Sequence, residues 1–334
     1  MVRFFATAIV IAALGVALAA QAPAKSWTAP RTADGYPDLQ GIWTNATITP
    51  LERPASLKGK PFLSEAEARA MEQLAAERRE EADKPIPGRF ESYNQFWLDG
   101  GTTVLSTRQT SLVVDPADGR VPVRAAEEKR RDEMWANYGD AYESMSPWDR
   151  CITRGVPGGM LPAGYNNAYQ ILQFPGYVLV HYEMIHEARI IPIRLRPSGA
   201  TAGQVDARPP LSARHQLWNG DPRGHWEGDT LVVETGNFNN LGWISTSQAG
   251  GRIKGIRHTD RLRVVERFTR TSAKEISYSA TITDPEIYTQ PWTVAFPLTL
   301  DSDYRIYEYA CHEGNYAMEG IMRGKRAEDR QKGQ

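Results

Sequence analysis

Cys311, His312 and Glu313 stand side by side in ACHEGNYAMEG, in a chain with two cysteines and six histidines. Such a triplet fits a thiolate with its base, part of a metal site, or a disulfide anchor with polar neighbours. Adjacent residues on a strand point to opposite faces, which works against a Cys311 nucleophile activated by His312. All six histidines lie between 181 and 312. In HYEMIHEARIIPI, His181 and Glu183 are two apart and share one strand face, where burial would tune a carboxylate and an imidazole for proton transfer near neutral pH. Apolar neighbours would raise the Glu183 pKa by desolvation. In NGDPRGHWEGDTL, His225 and Glu227 share a face while Trp226 and Leu231 take the other. Along YRIYEYACHE, Glu308 and His312 fall opposite Tyr307, Tyr309 and Cys311.

The candidate acid/base set is therefore Glu183, His181, His225, Glu227 and His312, with Arg189 to stabilise negative charge developing in a transition state. Tyr182, Trp226, Tyr307, Tyr309 and Tyr316 form the candidate ligand wall, because phenols and indoles join apolar area to a polar tip. The plain reading of each His/Glu pair is the solvent face of an antiparallel sheet, and alternation alone does not say which face is inside. No HExxH, CxxC or His-x-His pattern occurs, so no metal is assigned, although three separated His and Glu ligands would suffice for zinc. A Walker loop, a GxSxG elbow and a dinucleotide fingerprint are also absent, and no cofactor is expected.

The environment narrows the chemistry of Cys151 and Cys311. MVRFFATAIVIAALGVALAA reads as a secretory signal peptide over residues 1–19, ending in the small-x-small pattern Ala17-Leu18-Ala19. No later stretch approaches the ~20 apolar residues of a spanning helix, so a periplasmic or secreted protein without a membrane anchor is expected. An even cysteine pair in an oxidising compartment defaults to a disulfide. Without Arg3 the 39 basic and 40 acidic residues become 38 and 40. That balance offers no general attraction to nucleic acid or anionic membrane. A small-molecule ligand or substrate is the expected partner.

The elements that must position these residues are mostly strands. Residues 20–104 read as an N-terminal arm and a charged helix. The arm's apolar island YPDLQGIWTN carries a Trp43 that needs burial, and a capping box at Ser64 and Glu67 opens the helix, which runs to about Asp83. A second charged helix fits Arg124 to Tyr138. Residues 105–323 form the core. TSLVVDPADGRVPV, NAYQILQFPGYVLVHYEM and HWEGDTLVVET are paired apolar runs about short turns, the last with Gly228-Asp229 suited to a type II′ hairpin. LRVVERFTR, ISYSATITD, WTVAFPLTL and YRIYEYACHE follow, and residues 324–334 read as a disordered tail. An all-β-dominated fold results: an antiparallel meander closed as a barrel, lipocalin-like by analogy, with one or two surface helices.

PDLQGIW, RCITRGVPGG, ILQFPGYVLVHYEMIHEARIIPI, GDPRGHWEGDTLVVET, LRVVERFTR and YEYACHEGNY together resemble the signature segments of a family of exported bacterial proteins, abundant in soil and freshwater groups and of unassigned activity. The resemblance covers most of the chain. It implies export and a shared β-rich fold and names no reaction. The functional expectation is a cofactor-free acid/base enzyme of lyase, isomerase or hydrolase type, acting on a cyclic or carbohydrate-like substrate. Its alternatives are a non-catalytic carrier of an apolar ligand and a His/Glu metal-dependent enzyme of the same fold.

Overall fold

The computed structural model describes residues 27–82, 98–195, 205–206 and 209–333. The expected leader lies outside the described residues. Among the described residues there are twelve strands: β1 Gly41–Thr44, β2 Val113–Asp115, β3 Ala168–Phe174, β4 Tyr177–Tyr182, β5 Ala188–Pro192, β6 Arg194–Leu195, β7 Val205–Asp206, β8 Asp221–Glu227, β9 Thr230–Gly236, β10 Arg263–Ser272, β11 Glu275–Thr283 and β12 Trp292–Leu300. Nine of them run β5-β4-β3-β1-β12-β11-β10-β9-β8, all antiparallel, and β2 adds to β12. The two ends of this path meet through one parallel bridge, Ile193 to Gly224, so the sheet is a nearly closed barrel. A Cβ on Gly224 would lie 2.5 Å from Ile193 Cδ1, so any larger residue at the closing contact requires the Ile193 side chain to shift.

The expected barrel is present, but its closure differs from a single meander. Two meanders, β3 to β5 and β8 to β12, are joined by β1, which pairs β3 on one side and β12 on the other. The island expected in the N-terminal arm is thus a central barrel strand. Trp43 is wholly buried, and its Nε1 donates to the Leu39 carbonyl at 2.9 Å. Period-2 alternation is clearest on β11 and β12, where Ile276, Tyr278, Ala280 and Ile282 face Trp292, Val294, Phe296 and Leu298 inside. With Tyr169, Ile171, Tyr182 and Phe268 they make one continuous core. Each fully buried large side chain there contributes roughly 1.5–3 kcal/mol.

Helix α1 (Glu65–Ala82) starts at the expected capping box: the Glu67 amide donates to Ser64 Oγ at 3.3 Å and the Ser64 amide to Glu67 Oε2 at 2.8 Å. Helix α2 (Ala125–Ala136) is tied down by Arg257 on Glu127 and by Arg130 donating to the Gly255 carbonyl. Two expectations fail at the C-terminus. Tyr304 to Ala310 joins no ladder, because Tyr304 and the Tyr307 amide turn to Glu183 instead. The tail is a helix, α3 (Ala317–Lys332), supported by Glu319–Arg323 and Lys325–Asp329 pairs at i,i+4 and docked by Lys325 on Asp140 at 2.8 Å. Cys151 and Cys311 form the expected disulfide across 160 residues, with Cα atoms 5.7 Å apart. No helix among the described residues is long and apolar enough to cross a membrane.

Candidate functional site

The disulfide pins the ACHEGNY segment against two loops. One carries Trp148 and Asp149 just before Cys151, and the other carries Tyr165 and Asn166 just before β3. Between them lies a cleft of about 720 Å³, walled by Trp148, Tyr165, Tyr309 and Tyr316 and edged by Asp149, Asn166, Glu308 and Asn315. The Trp148 and Tyr165 rings are 6.1 Å apart and inclined at 51°. Asp149 receives the Tyr138 hydroxyl at 2.6 Å and the Ser146 hydroxyl at 2.7 Å, so its carboxylate is held in place. Asn315 donates to Cys151 Sγ at 3.1 Å and accepts from the Ala317 amide, which fixes the start of α3 beside the bridge.

Glu183 lies one layer behind the cleft. β4 ends at Tyr182, and the chain turns helical at Glu183 (φ −64°, ψ −45°), so its side chain leaves the strand alternation and is fully buried. The Tyr304 hydroxyl donates to both carboxylate oxygens at 2.8 and 2.9 Å, the Tyr307 amide reaches Oε1 at 3.4 Å, and the cleft residue Asn166 hydrogen-bonds it as well. Burial pushes the Glu183 carboxyl above the usual carboxylate range, the hydrogen bonds oppose this, and nearby Asp99 adds a like charge. Tyr304 is pushed up by burial and by Glu183. The next residue along, Asn167, serves the other acid, donating to Asp99 from its amide at 3.0 Å and from Nδ2 at 2.8 Å. Two adjacent asparagines therefore hold two neighbouring carboxylates.

Arg154 and Glu187 complete the surroundings. Glu187 accepts from Thr153 Oγ1 at 2.8 Å, from Asn219 and from the Arg154 amide, and burial raises its pKa. Arg154 is 4 % exposed, and among the described residues its guanidinium makes one long hydrogen bond, 3.4 Å to the Leu161 carbonyl. Burial lowers its pKa, and the groups nearest it in charge are the phenols of Tyr169, Tyr165, Tyr309 and Tyr182.

Most of the residues expected to act together are apart. His181 stays on the outer face of β4, its ring edge-on to His186 at 4.5 Å, so it does not share a face with Glu183. The connection from β4 to β5 spans Glu183 to Glu187, with Ile185 and His186 at φ 63° and 55°. It sets Val180 opposite Arg189 and His181 opposite Ala188. His225 and Glu227 are a surface pair at 3.1 Å beside Arg267, as the plain reading of their alternation has it. His312 is exposed and lines no part of the cleft. Arg189 points into the barrel core, bonded to Glu266 Oε2 at 2.5 Å and Thr235 Oγ1 at 2.7 Å, where Tyr278 also donates to Glu266. It is a core ion pair with no access to the cleft.

Among the expected ligand-wall residues, Tyr309 and Tyr316 line the cleft. Tyr307 is 66 % exposed, its ring edge-on to Tyr304. Tyr182 is core, edge-on to Tyr169 at 5.7 Å. Trp226 lines a smaller cleft of about 370 Å³ at the β3–β4 turn, where Tyr36 stacks on it at 5.3 Å and 11°. Trp148, Tyr165, Asn166 and Arg154 were not picked out by sequence. Their one available signal is closeness in the chain to Cys151, which the bridge brings to Tyr309 and Tyr316. No group of three or more His, Cys, Asp or Glu among the described residues is placed to hold a metal ion. In comparisons with known proteins, no family profile, no curated protein and no solved structure matches the chain.

Proposed function

We propose that this is an exported protein that takes a small ring-bearing molecule into the cleft beside Cys151–Cys311. The observation that carries the reading is the wall itself: four aromatic rings from three separate segments converge on one space of about 720 Å³. That volume is within the range of ordinary small-molecule sites, roughly 300–1,000 Å³. The leader-like N-terminus, the disulfide and the resemblance to exported bacterial proteins support a periplasmic or secreted setting. The barrel interior, in contrast with a lipocalin-like carrier, is occupied by its own aromatic side chains and the Arg189–Glu266 pair. A ligand-observed NMR fragment screen of the wild type and the Tyr309→Leu variant tests the reading. Fragments should respond to the wild type and not to the variant, and a screen in which no fragment distinguishes the two would sink it.

Glu183 favours a second reading, acid/base turnover of the bound molecule by a lyase, isomerase or hydrolase type of reaction. Among the described residues its carboxyl has no cationic partner, its raised pKa lets it hold a proton nearer neutrality, and Asn166 connects it to the cleft. The histidines have no part in either reading. Glu183→Gln should keep the fold and ligand binding and abolish turnover. Loss of binding together with turnover would make Glu183 a support of the cleft wall and nothing more.

A further inference from the structure

We propose that Arg154 anchors the cleft's ligand: its guanidinium takes the carboxylate of a small ring-bearing acid whose ring lies beside Tyr309. This rests on the reading of the cleft as the ligand site. Three arginines among the described residues are buried, Arg53, Arg154 and Arg189, and two of them are matched by the fold. Arg53 donates to Thr110 Oγ1 at 2.8 Å and to the Ala117 carbonyl at 2.7 Å, and Arg189 is paired with Glu266. Arg154 is buried as deeply as Arg189, and its one side-chain hydrogen bond among the described residues is the 3.4 Å contact to the Leu161 carbonyl. A guanidinium stays charged when buried, because its pKa lies too high for proton loss. A buried cation without an anion is costly, and an arriving anion would remove that cost.

The neighbouring acids are committed elsewhere. Glu187 accepts from Thr153 Oγ1, from Asn219 and from the Arg154 backbone amide, so the same residue serves it through its main chain and not through its guanidinium. Glu183 is held by Tyr304 and Asn166, and Asp99 by Asn167. Among the described residues neutral donors thus satisfy these acids while the cation is left over. The loop that carries it, residues 153–163, is buried throughout and braced by its own hydrogen bonds, the Gly155 amide to Thr153 Oγ1 at 2.9 Å and the Gly159 amide to the Gly155 carbonyl at 2.8 Å. Its backbone therefore places Arg154 without help from an ion pair. The groups nearest the guanidinium in charge are phenols, and two of them, Tyr165 and Tyr309, belong to the cleft lining. A carboxylate is the matching anion: it is planar and singly charged and accepts two parallel N–H···O bonds from the guanidinium fork. A phosphate dianion would bring a second charge that one arginine does not neutralise.

The test is isothermal titration of the purified protein in low-chloride buffer with benzoate, its neutral isostere benzamide, and inorganic phosphate. Benzoate should bind about ten-fold tighter than benzamide, and Arg154→Met should abolish that difference while benzamide still binds. Arg154→Lys, which keeps the charge and loses the fork, should restore only part of it. Without ligand, Arg154→Met should melt no lower than the wild type, because no ion pair is broken. A much lower melting temperature would make Arg154 a structural support and overturn the proposal. Benzoate binding that survives in Arg154→Met, or phosphate binding as tight as that of benzoate, overturns it as well. Equal binding of benzoate and benzamide, both weakened in Tyr309→Leu, overturns the charge assignment and leaves the small-molecule site standing. Binding of none of the three also overturns it, and the fragment screen then decides whether the cleft is a site at all.

Discussion

Glu266 and Glu183 are both fully buried, and their partners differ in kind. Glu266 faces a cation: Arg189 reaches it at 2.5 Å, Thr235 shares the guanidinium, and Tyr278 fills the other oxygen. Among the described residues Glu183 faces only neutral donors, the Tyr304 hydroxyl, the Tyr307 amide and Asn166, with a second acid nearby. A buried charge that is paired inside a core is a structural element whose removal is costly. One held by neutral donors keeps the option of taking up a proton. The difference separates a pair that locks the two meanders together from a carboxyl whose state can follow pH and ligand.

Breaking the paired site should have the largest effect. Arg189→Met leaves Glu266 buried without its cation and should cost about 3–5 kcal/mol in urea unfolding. Adding Glu266→Leu to it should recover most of that loss. If the double variant is no better than the single one, the pair contributes more than mutual neutralisation and the contrast with Glu183 weakens. The disulfide comes next. Its loop of 160 residues corresponds to about 5 kcal/mol in the chain-entropy model, and Cys151→Ser should cost about 2–5 kcal/mol while releasing the Tyr309 and Tyr316 wall. Thermal melts under oxidising and reducing conditions measure it, and equal melting temperatures would remove the bridge from both roles.

For Glu183 the expected signature is a slope. A carboxyl whose folded pKa lies above its unfolded value of about 4.5 binds more protons in the native state. Stability from this group is complete below about pH 4.5 and is lost as pH rises through the folded value. Glu183→Gln should therefore match the wild type at low pH and gain on it steadily toward neutrality, read from denaturation midpoints across the pH range. A constant offset between the two would mean that Glu183 does not change protonation on folding.

The sequence made one of these carboxyls visible and misplaced its setting. Strand alternation paired His181 with Glu183, but alternation ends where the strand does, and Tyr182 is the last residue of β4. The type II′ turn at Gly228-Asp229 was legible because it is local: Gly228 takes φ 59°, which glycine alone accepts without strain. The disulfide was legible from cysteine number and the leader-like character of the first residues. β1 was not, because four residues carry too little period, and its partners lie more than 120 residues away in β3 and β12. The cleft failed for the same reason. Trp148, Tyr165 and Asn166 stand on loops with no periodicity, and only the bridge and the barrel bring them to Tyr309 and Tyr316.

The smallest effect is expected where spacing pointed most directly to chemistry. His225 and Glu227 are hydrogen-bonded at 3.1 Å, and Arg267 first and His225 second hold the Glu227 carboxyl below the usual carboxylate range. The pair lies on the outer face of β8, while Trp226 between them turns inward to stack on Tyr36, at a different cleft from the one walled by Tyr309. Solvent screens such a contact and side-chain entropy opposes it. His225→Ala and Glu227→Gln should leave the melting temperature and fragment binding at the Tyr309 cleft unchanged within error. Loss of that binding in either variant would show that the two clefts are coupled through the barrel, and the division between a structural core and a single responsive end would have to be redrawn.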